Sequence, residues 1–253
     1  MANVNYSSIF PTSSGTTVTN TLLLLRPVDG KIIDLVSGYE PTKMFYYNSS
    51  SSSNGKITID SLTKKFNTSI KIQSALLNTL SNHFYNSNFT IELWYKPLSG
   101  LPSTFNPLIA RGDITGSSVK STLYLGFSSS NFGMGIGDGT NLYDAFIGTA
   151  PNFINTSSFT HYAIVRNSNI IKTYVNGTLK LTSTAINQPL YDIRNQVADK
   201  ISDGLSFGGG LFSVPSNTLN TRANSGWYEE IRVSNLARYT SEFTPPTAPF
   251  ILD

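Results

Sequence analysis

Cysteine is absent from the chain. That excludes disulfides and thiolate zinc sites and agrees with folding in a reducing cytosol. Charge is scarce as well. Asp, Glu, Lys and Arg make up 13% of 253 residues, against roughly 25% in ordinary globular proteins. The formal net charge is only +3, and no basic run extends beyond Lys64-Lys65, so nucleic acid is not an expected partner. Long apolar runs are missing. The longest spans residues 22–25, far too short to cross a bilayer, and the opening MANVNYSSIF lacks the basic-then-apolar order of a signal peptide. A membrane is therefore not an expected partner either. Histidine occurs only at 83 and 161. His161 sits inside a strand pattern, where a hydrogen-bonded structural role is the better reading.

What the chain has instead is Asn, Ser and Thr, together with 39% hydrophobic and 12% aromatic residues. The apolar share is enough for a core. Asn, Ser and Thr side chains compete with helical backbone hydrogen bonds and so favour short strands and turns. Residues 159–182 (FTHYAIVRNSNIIKTYVNGTLKLT) show the pattern best. Three β-rich runs, 161–166, 170–175 and 178–182, are separated by Asn167-Ser168-Asn169 and by Asn176-Gly177. The second separator is a type I′ hairpin signal. A two-residue turn sets Val175 opposite Thr178, Tyr174 opposite Leu179 and Lys172 opposite Leu181. Tyr174, Leu179, Leu181 and the stem of Lys172 then share one face, with Ile171, Thr173, Val175 and Lys180 on the other. Neither face is purely apolar, which describes a sheet packed on one side and partly covered on the other.

Residues 88–96 (NFTIELWYK) alternate strictly. Phe89, Ile91, Leu93 and Tyr95 take one face; Thr90, Glu92, Trp94 and Lys96 take the other. Glu92 beside Trp94 reads as a paired surface charge. Residues 227–233 (WYEEIRV) give the last strand, where alternation puts Tyr228, Glu230 and Arg232 on one face, pairs Glu230 with Arg232, and sends Glu229 to the opposite face. Further strands are expected at 19–26, 32–36, 56–60, 66–72, 121–127, 132–137 and 142–147, one short helix at 74–80, and a polar loop at 211–226. About a dozen short strands with regular turn signals make an all-β, two-sheet antiparallel sandwich or barrel in one domain. Residues 1–18 read as an extended N-terminal arm, 19–238 as the domain, and the Pro-rich 239–253 as an extended C-terminal tail.

Catalysis finds little support in these residues. Glycoside hydrolysis needs two carboxylates roughly 5 Å apart in retaining enzymes or about 6.5–9.5 Å apart in inverting ones. Glu92 stands alone, Glu229 and Glu230 are expected on opposite faces, and no nucleophile has its triad partners. No catalytic residue and no cofactor is expected. Asp138, Asn141 and Asp144 could offer oxygens to Ca²⁺, although loops of this composition mostly serve as turns. Arg111-Gly112-Asp113 has the composition of an integrin ligand and the context of a glycine turn between strands. A carbohydrate site needs aromatic faces and neutral hydrogen-bonding side chains. Loop residues Phe105, Asn106, Asp138, Asn141, Tyr143 and Tyr191 could supply both.

Four pieces of the chain stand in the order found in one known family: 89–97 (FTIELWYKP), 160–179 (THYAIVRNSNIIKTYVNGTL), 205–209 (LSFGG) and 226–233 (GWYEEIRV). Residues 22–38 (LLLLRPVDGKIIDLVSG) resemble its first strand pair. On these residues the chain resembles the laminin-G-like, concanavalin A-like jelly-roll family over most of 19–233. It departs from the family at Phe159, where Trp is usual, and at Glu229, where Asp is usual. The family's calcium ligands do not map onto this chain residue by residue. The ending, 232–250 (RVSNLARYTSEFTPPTAPF), resembles that of laminin-G-like domains in virion proteins of tailed bacteriophages. The resemblance implies a concanavalin A-like jelly-roll sandwich with extended terminal arms. It further implies a non-enzymatic virion structural protein, assembled in the host bacterial cytoplasm and exposed on the particle as capsid decoration, head fibre or tail component. Its partners would be other capsid or tail subunits and further copies of itself. The alternative is a glycan-binding adsorption module of a tail fibre or receptor-binding apparatus that touches host-surface glycans.

Overall fold

The computed structural model describes residues 20–45, 55–79, 87–112, 121–148, 150–190, 204–212 and 220–253. The arm 1–18, His83 and Tyr191 lie outside them. Eighteen strands occur among the described residues. β1 (Thr21–Val28), β2 (Lys31–Asp34), β3 (Thr42–Phe45), β4 (Lys56–Asp60), β5 (Ser69–Gln73) and β6 (Ala75–Thr79) come first. β7 (Phe89–Pro97), β8 (Asn106–Gly112), β9 (Ser121–Phe127), β10 (Asn131–Gly137) and β11 (Leu142–Gly148) follow. Then come β12 (Thr160–Asn167), β13 (Ile170–Val175), β14 (Thr178–Thr182), β15 (Leu205–Phe207), β16 (Gly209–Phe212), β17 (Asn220–Ala223) and β18 (Gly226–Ser234).

Two antiparallel sheets form the expected sandwich. The nine-stranded sheet runs β14-β13-β12-β7-β18-β1-β2, with β5 paired to the start of β18 and β4 to β5. The seven-stranded sheet runs β11-β10-β9-β8-β15-β6-β3. β16 and β17 pair as a separate ribbon, where the sequence suggested a polar loop. Phe89, Ile91, Leu93 and Tyr95 of β7 enter one buried core with Leu125, Phe127, Phe132 and Met134 of the other sheet. The alternation of β7 is thus kept as read, because a strand sends successive side chains to opposite faces.

Three local expectations are corrected. Residues 75–79 form β6 rather than a helix, paired on both sides by β3 and β15. All five are buried, and a short run buried on both faces has no periodicity to separate strand from helix. In the hairpin, Asn176 and Gly177 have φ of +48° and +77°, as a type I′ turn requires. Val175↔Thr178 and Tyr174↔Leu179 hold, but a bulge beyond them sets Leu181 opposite Thr173 and Lys172 opposite Thr182. The shift delivers Leu181 to the core beside Ile171 and Val175, while Tyr174 stays outside with Ala163 and Val165.

The third correction is in β18. Its register to β7 slips between Glu229 and Arg232, and Glu230 adopts φ +54°. Tyr228, Ile231 and Val233 reach the core, so Glu229, Glu230 and Arg232 all remain on the outer face. Glu229 and Glu230 do not point to opposite faces, and Glu230 pairs with Arg26 rather than Arg232. The slip falls where the neighbour of β18 changes from β5 to β1.

The outer face of the nine-stranded sheet is covered by residues 235–253, which contain no strand or helix. Tyr239 and Phe243 stack at 3.6 Å and pack beside Tyr174. Phe250 is buried against Leu24 and Trp94. Arg238 donates to Asp253 Oδ2 at 2.8 Å, Thr21 Oγ1 donates to Asp253 Oδ1 at 2.7 Å, and the N–H of Thr21 donates to the carbonyl of Asp253 at 3.2 Å. The tail is seated on its own chain.

Candidate functional site

Register arranges the outer face in rows. Trp227 on β18 stands between Lys71 on β5 and Lys96 on β7. In the next row Trp94 on β7 stands between Glu229 on β18 and His161 on β12. Beyond it Glu92 stands between Arg232 and Ala163. Same-face neighbours across strands are close enough to interact directly.

The three glutamates of this face are buried and internally partnered. Glu92 Oε1 accepts from Arg232 Nε and Nη2 at 2.9 and 2.7 Å. Its Oε2 accepts from the Tyr239 hydroxyl at 2.8 Å and lies 3.2 Å from His161 Nε2. Burial pushes the Glu92 carboxyl up, but the His161 hydrogen bond and the Arg232 charge outweigh it and hold the group below the ordinary range. Glu92 is therefore a paired charge in the interior, not at the surface. Glu230 accepts from Arg26 Nε and from the N–H of Phe250, both at 2.7 Å.

Glu229 anchors a loop. Its Oε2 accepts from the N–H of Lys65 at 2.6 Å, and its Oε1 from those of Phe66 and Asn67 at 2.9 Å. Asp60 Oδ1 accepts from the N–H groups of Leu62 and Thr63 at 2.8 and 3.0 Å, and Oδ2 from Trp227 Nε1 at 2.8 Å. The Thr63 and Trp227 hydrogen bonds hold the Asp60 carboxyl below its usual value. These amides cannot serve a strand, which is why β5 begins at Ser69 rather than at Phe66. The loop carries Leu62 outward at 92% exposure and sets Lys65 Nζ 4.2 Å above the Trp94 ring.

Between this loop and residues 157–159 opens a cleft of about 460 Å³. Lys64, Lys65 and Lys96 line it with the hydroxyls of Thr63, Ser157 and Ser158, and no acidic residue does so among the described residues. Leu62 and Phe159 supply its apolar edges.

Of the residues that the sequence suggested for carbohydrate, none of the described ones lines this cleft, and they fall in two places. Asp138, Asn141 and Tyr143 share the β10–β11 turn. Asp138 accepts from the N–H groups of Thr140 and Asn141 at 2.8 and 2.6 Å and from the Tyr143 hydroxyl at 2.9 Å. Those oxygens are engaged by the turn, and no group of three metal-ligating side chains occurs among the described residues. Asn106 opens β8 opposite Phe127, which pairs with Phe132, whereas Asp138 follows Gly137 at the far end of β10. Six strand steps separate the two places along the sheet, ~20 Å. Phe105 packs edge-on against Tyr124 at 5.7 Å. Arg111 of the Arg-Gly-Asp tripeptide is 1% exposed in β8, and Asp113 lies outside the described residues.

A family model described as the concanavalin A-like lectin/glucanases superfamily matches residues 67–209, more than half of the chain. The chain belongs to that superfamily. Its sandwich is similar to solved binding domains of clostridial toxins. For that of Paraclostridial Mosquitocidal Protein 1 the TM-score is 0.56 at 15% identity, covering 87% of this chain and 50% of the other. For the binding domain of botulinum neurotoxin DC in complex with SialylT the TM-score is 0.57 at 13% identity, covering 87% and 48%. For the receptor binding domain of botulinum neurotoxin type G it is 0.53 at 14%, covering 87% and 49%. The chain thus spans about half the length of these structures. No curated protein matches it.

Proposed function

We propose that this lectin/glucanase-superfamily chain is a non-enzymatic recognition module, displayed on a tailed-bacteriophage particle, that holds carbohydrate at a host surface. The observation that carries the reading is the open cleft beside a loop whose amides end on two carboxylates, Asp60 and Glu229. A site preset in this way loses little conformational entropy when it binds. The architecture also supports recognition, since the similar toxin structures are described as binding domains, one of them in complex with SialylT. Against catalysis, Glu92, Glu229 and Glu230 spend their oxygens on internal donors, which leaves none of them poised as an acid or nucleophile.

The particle setting rests on the resemblance of residues 232–250 to the endings of phage virion proteins. In this reading the arm 1–18 reaches a neighbouring subunit. Two measurements test the reading. Purified protein on a glycan array should retain a restricted set of glycans, and mass spectrometry of purified particles should find the chain, with deletion of 1–18 abolishing its incorporation. A blank array at high protein concentration sinks the binding half; particles free of the chain sink the virion half.

A further inference from the structure

We propose that the cleft between loop 61–67 and residues 157–159 holds the carboxylate-bearing sugar of an acidic glycan. The inference rests on the glycan-binding reading above and gives it a site and a ligand class.

Charge is the first argument. In a chain with 13% charged residues, Lys64, Lys65, Lys71 and Lys96 gather at one end of one sheet face. Two acids of the same region, Asp60 and Glu229, have oxygens already occupied by backbone N–H groups and by Trp227 Nε1. Three of these lysines are also held. Lys65 Nζ sits over Trp94, and Lys71 and Lys96 each lie 5.5 Å from the Trp227 ring. A cation kept over an aromatic face is positioned before the ligand arrives.

Shape and lining choose among anions. A volume near 460 Å³ falls in the range of small-ligand sites. Thr63, Ser157 and Ser158 offer hydroxyls to hydroxyls, while Leu62 and Phe159 offer apolar edges to the C–H face of a sugar ring. An inorganic anion needs no apolar edge. A lipid headgroup brings acyl chains that require a contiguous apolar surface, and at this cleft only Leu62 projects. A carboxylated sugar uses every part of the lining.

Both tryptophans of the chain stand in the rows beside the cleft, so intrinsic fluorescence reads the site directly. Titration with tetragalacturonate should saturate. Its fully methyl-esterified counterpart keeps the rings and loses the charge, and should bind at least about tenfold more weakly. The variant Lys64→Gln/Lys65→Gln/Lys96→Gln should lose a similar factor for the acid while keeping its melting temperature. Lys31→Gln, whose lysine pairs with Glu40 at 3.3 Å on β2, should bind as the parent does. Equal binding of acid and ester, an unaffected triple variant, or equally tight binding of polyglutamate of matched charge overturns the proposal. So does absence of binding to either tetramer. In that case neutral glycans retained on the array keep the broader reading alive, whereas a blank array removes both.

Discussion

Glu229 decides whether loop 61–67 has one conformation. Its oxygens are the acceptors for the amides of Lys65, Phe66 and Asn67, and it is 1% exposed. Hydrogen bonds to a charged acceptor contribute about 1.5–3 kcal/mol each, and orphaned buried donors cost a comparable amount. Glu229→Ala should therefore lower stability by about 2–3 kcal/mol and speed amide hydrogen exchange at residues 65–67, with β12 and β13 exchanging as before. Unchanged exchange in the loop would show that something else anchors it. The sequence pointed to this residue only as a departure from a family pattern. Strict alternation placed it on the wrong side of Glu230, because a bulge with a left-handed glutamate leaves no mark in an alternating string.

Glu92 was legible as a paired charge but not as a buried one. Its strand pattern shows which face it takes, whereas what covers that face comes from residues about 150 positions later. Removing it strands Arg232 in the interior. Glu92→Ala is expected to cost about 3–5 kcal/mol, read as a shift in the chemical denaturation midpoint. A loss below 1 kcal/mol would mean that Arg232 reaches water when unpaired.

At the scale of elements, the strongest local signals came through and the long-range ones did not. Asn176-Gly177 announced its hairpin because positive φ at both positions demands those residues. Residues 75–79 were misread since burial on both faces erases the two-residue period. The cleft was illegible: loop 61–67, Lys96, residues 157–159 and Glu229 are distant in sequence and meet only through sheet order. Gly177 carries a second role that the turn signal hides. A Cβ there would collide with the carbonyl of Phe243, whose N–H donates to Gly177 O at 3.0 Å. Gly177→Ala combines strain at φ +77° with displacement of the tail. Limited proteolysis should cut residues 240–250 faster in this variant, and equal cutting rates would show that the tail is held elsewhere.

For the whole molecule, the tail functions as an outer layer, and acid should lift it. Glu92 and Asp253 both have carboxyls held low. For Glu92, burial raises the value and the His161 and Arg232 interactions more than reverse it. For Asp253 the Arg238 hydrogen bond dominates and brings it to about 2. A depressed value means that the unfolded state binds protons more readily than the folded one. The stabilisation is then complete above the ordinary carboxylate range and is lost as pH falls through the folded values. The tail should stay seated without change from pH 8 to 5 and loosen between about 4 and 2, a loss followed by the hydrogen exchange of residues 239–253. Loosening that began near pH 6 would show that these two carboxyls do not control the tail.

The same layer predicts what truncation does. Phe250 is 5% exposed, and its ring lies 4.1 Å from the Arg232 guanidinium. Phe250→Ala should cost about 3 kcal/mol. Removing residues 239–253 entirely would also bare Trp94, Ala163, Val165 and Tyr174, together with the partners left by Tyr239 and Phe250 on Glu92 and Glu230. A sheet with that much apolar surface associates. The truncated chain is therefore expected to bind an apolar dye and to form larger species than the parent chain in light scattering, whereas Phe250→Ala keeps the parent's oligomeric state. If the truncated chain matched the parent in oligomeric state and melted at the same temperature, the tail would be an appendage, and the buried glutamate network would have to be closed by the sheet alone.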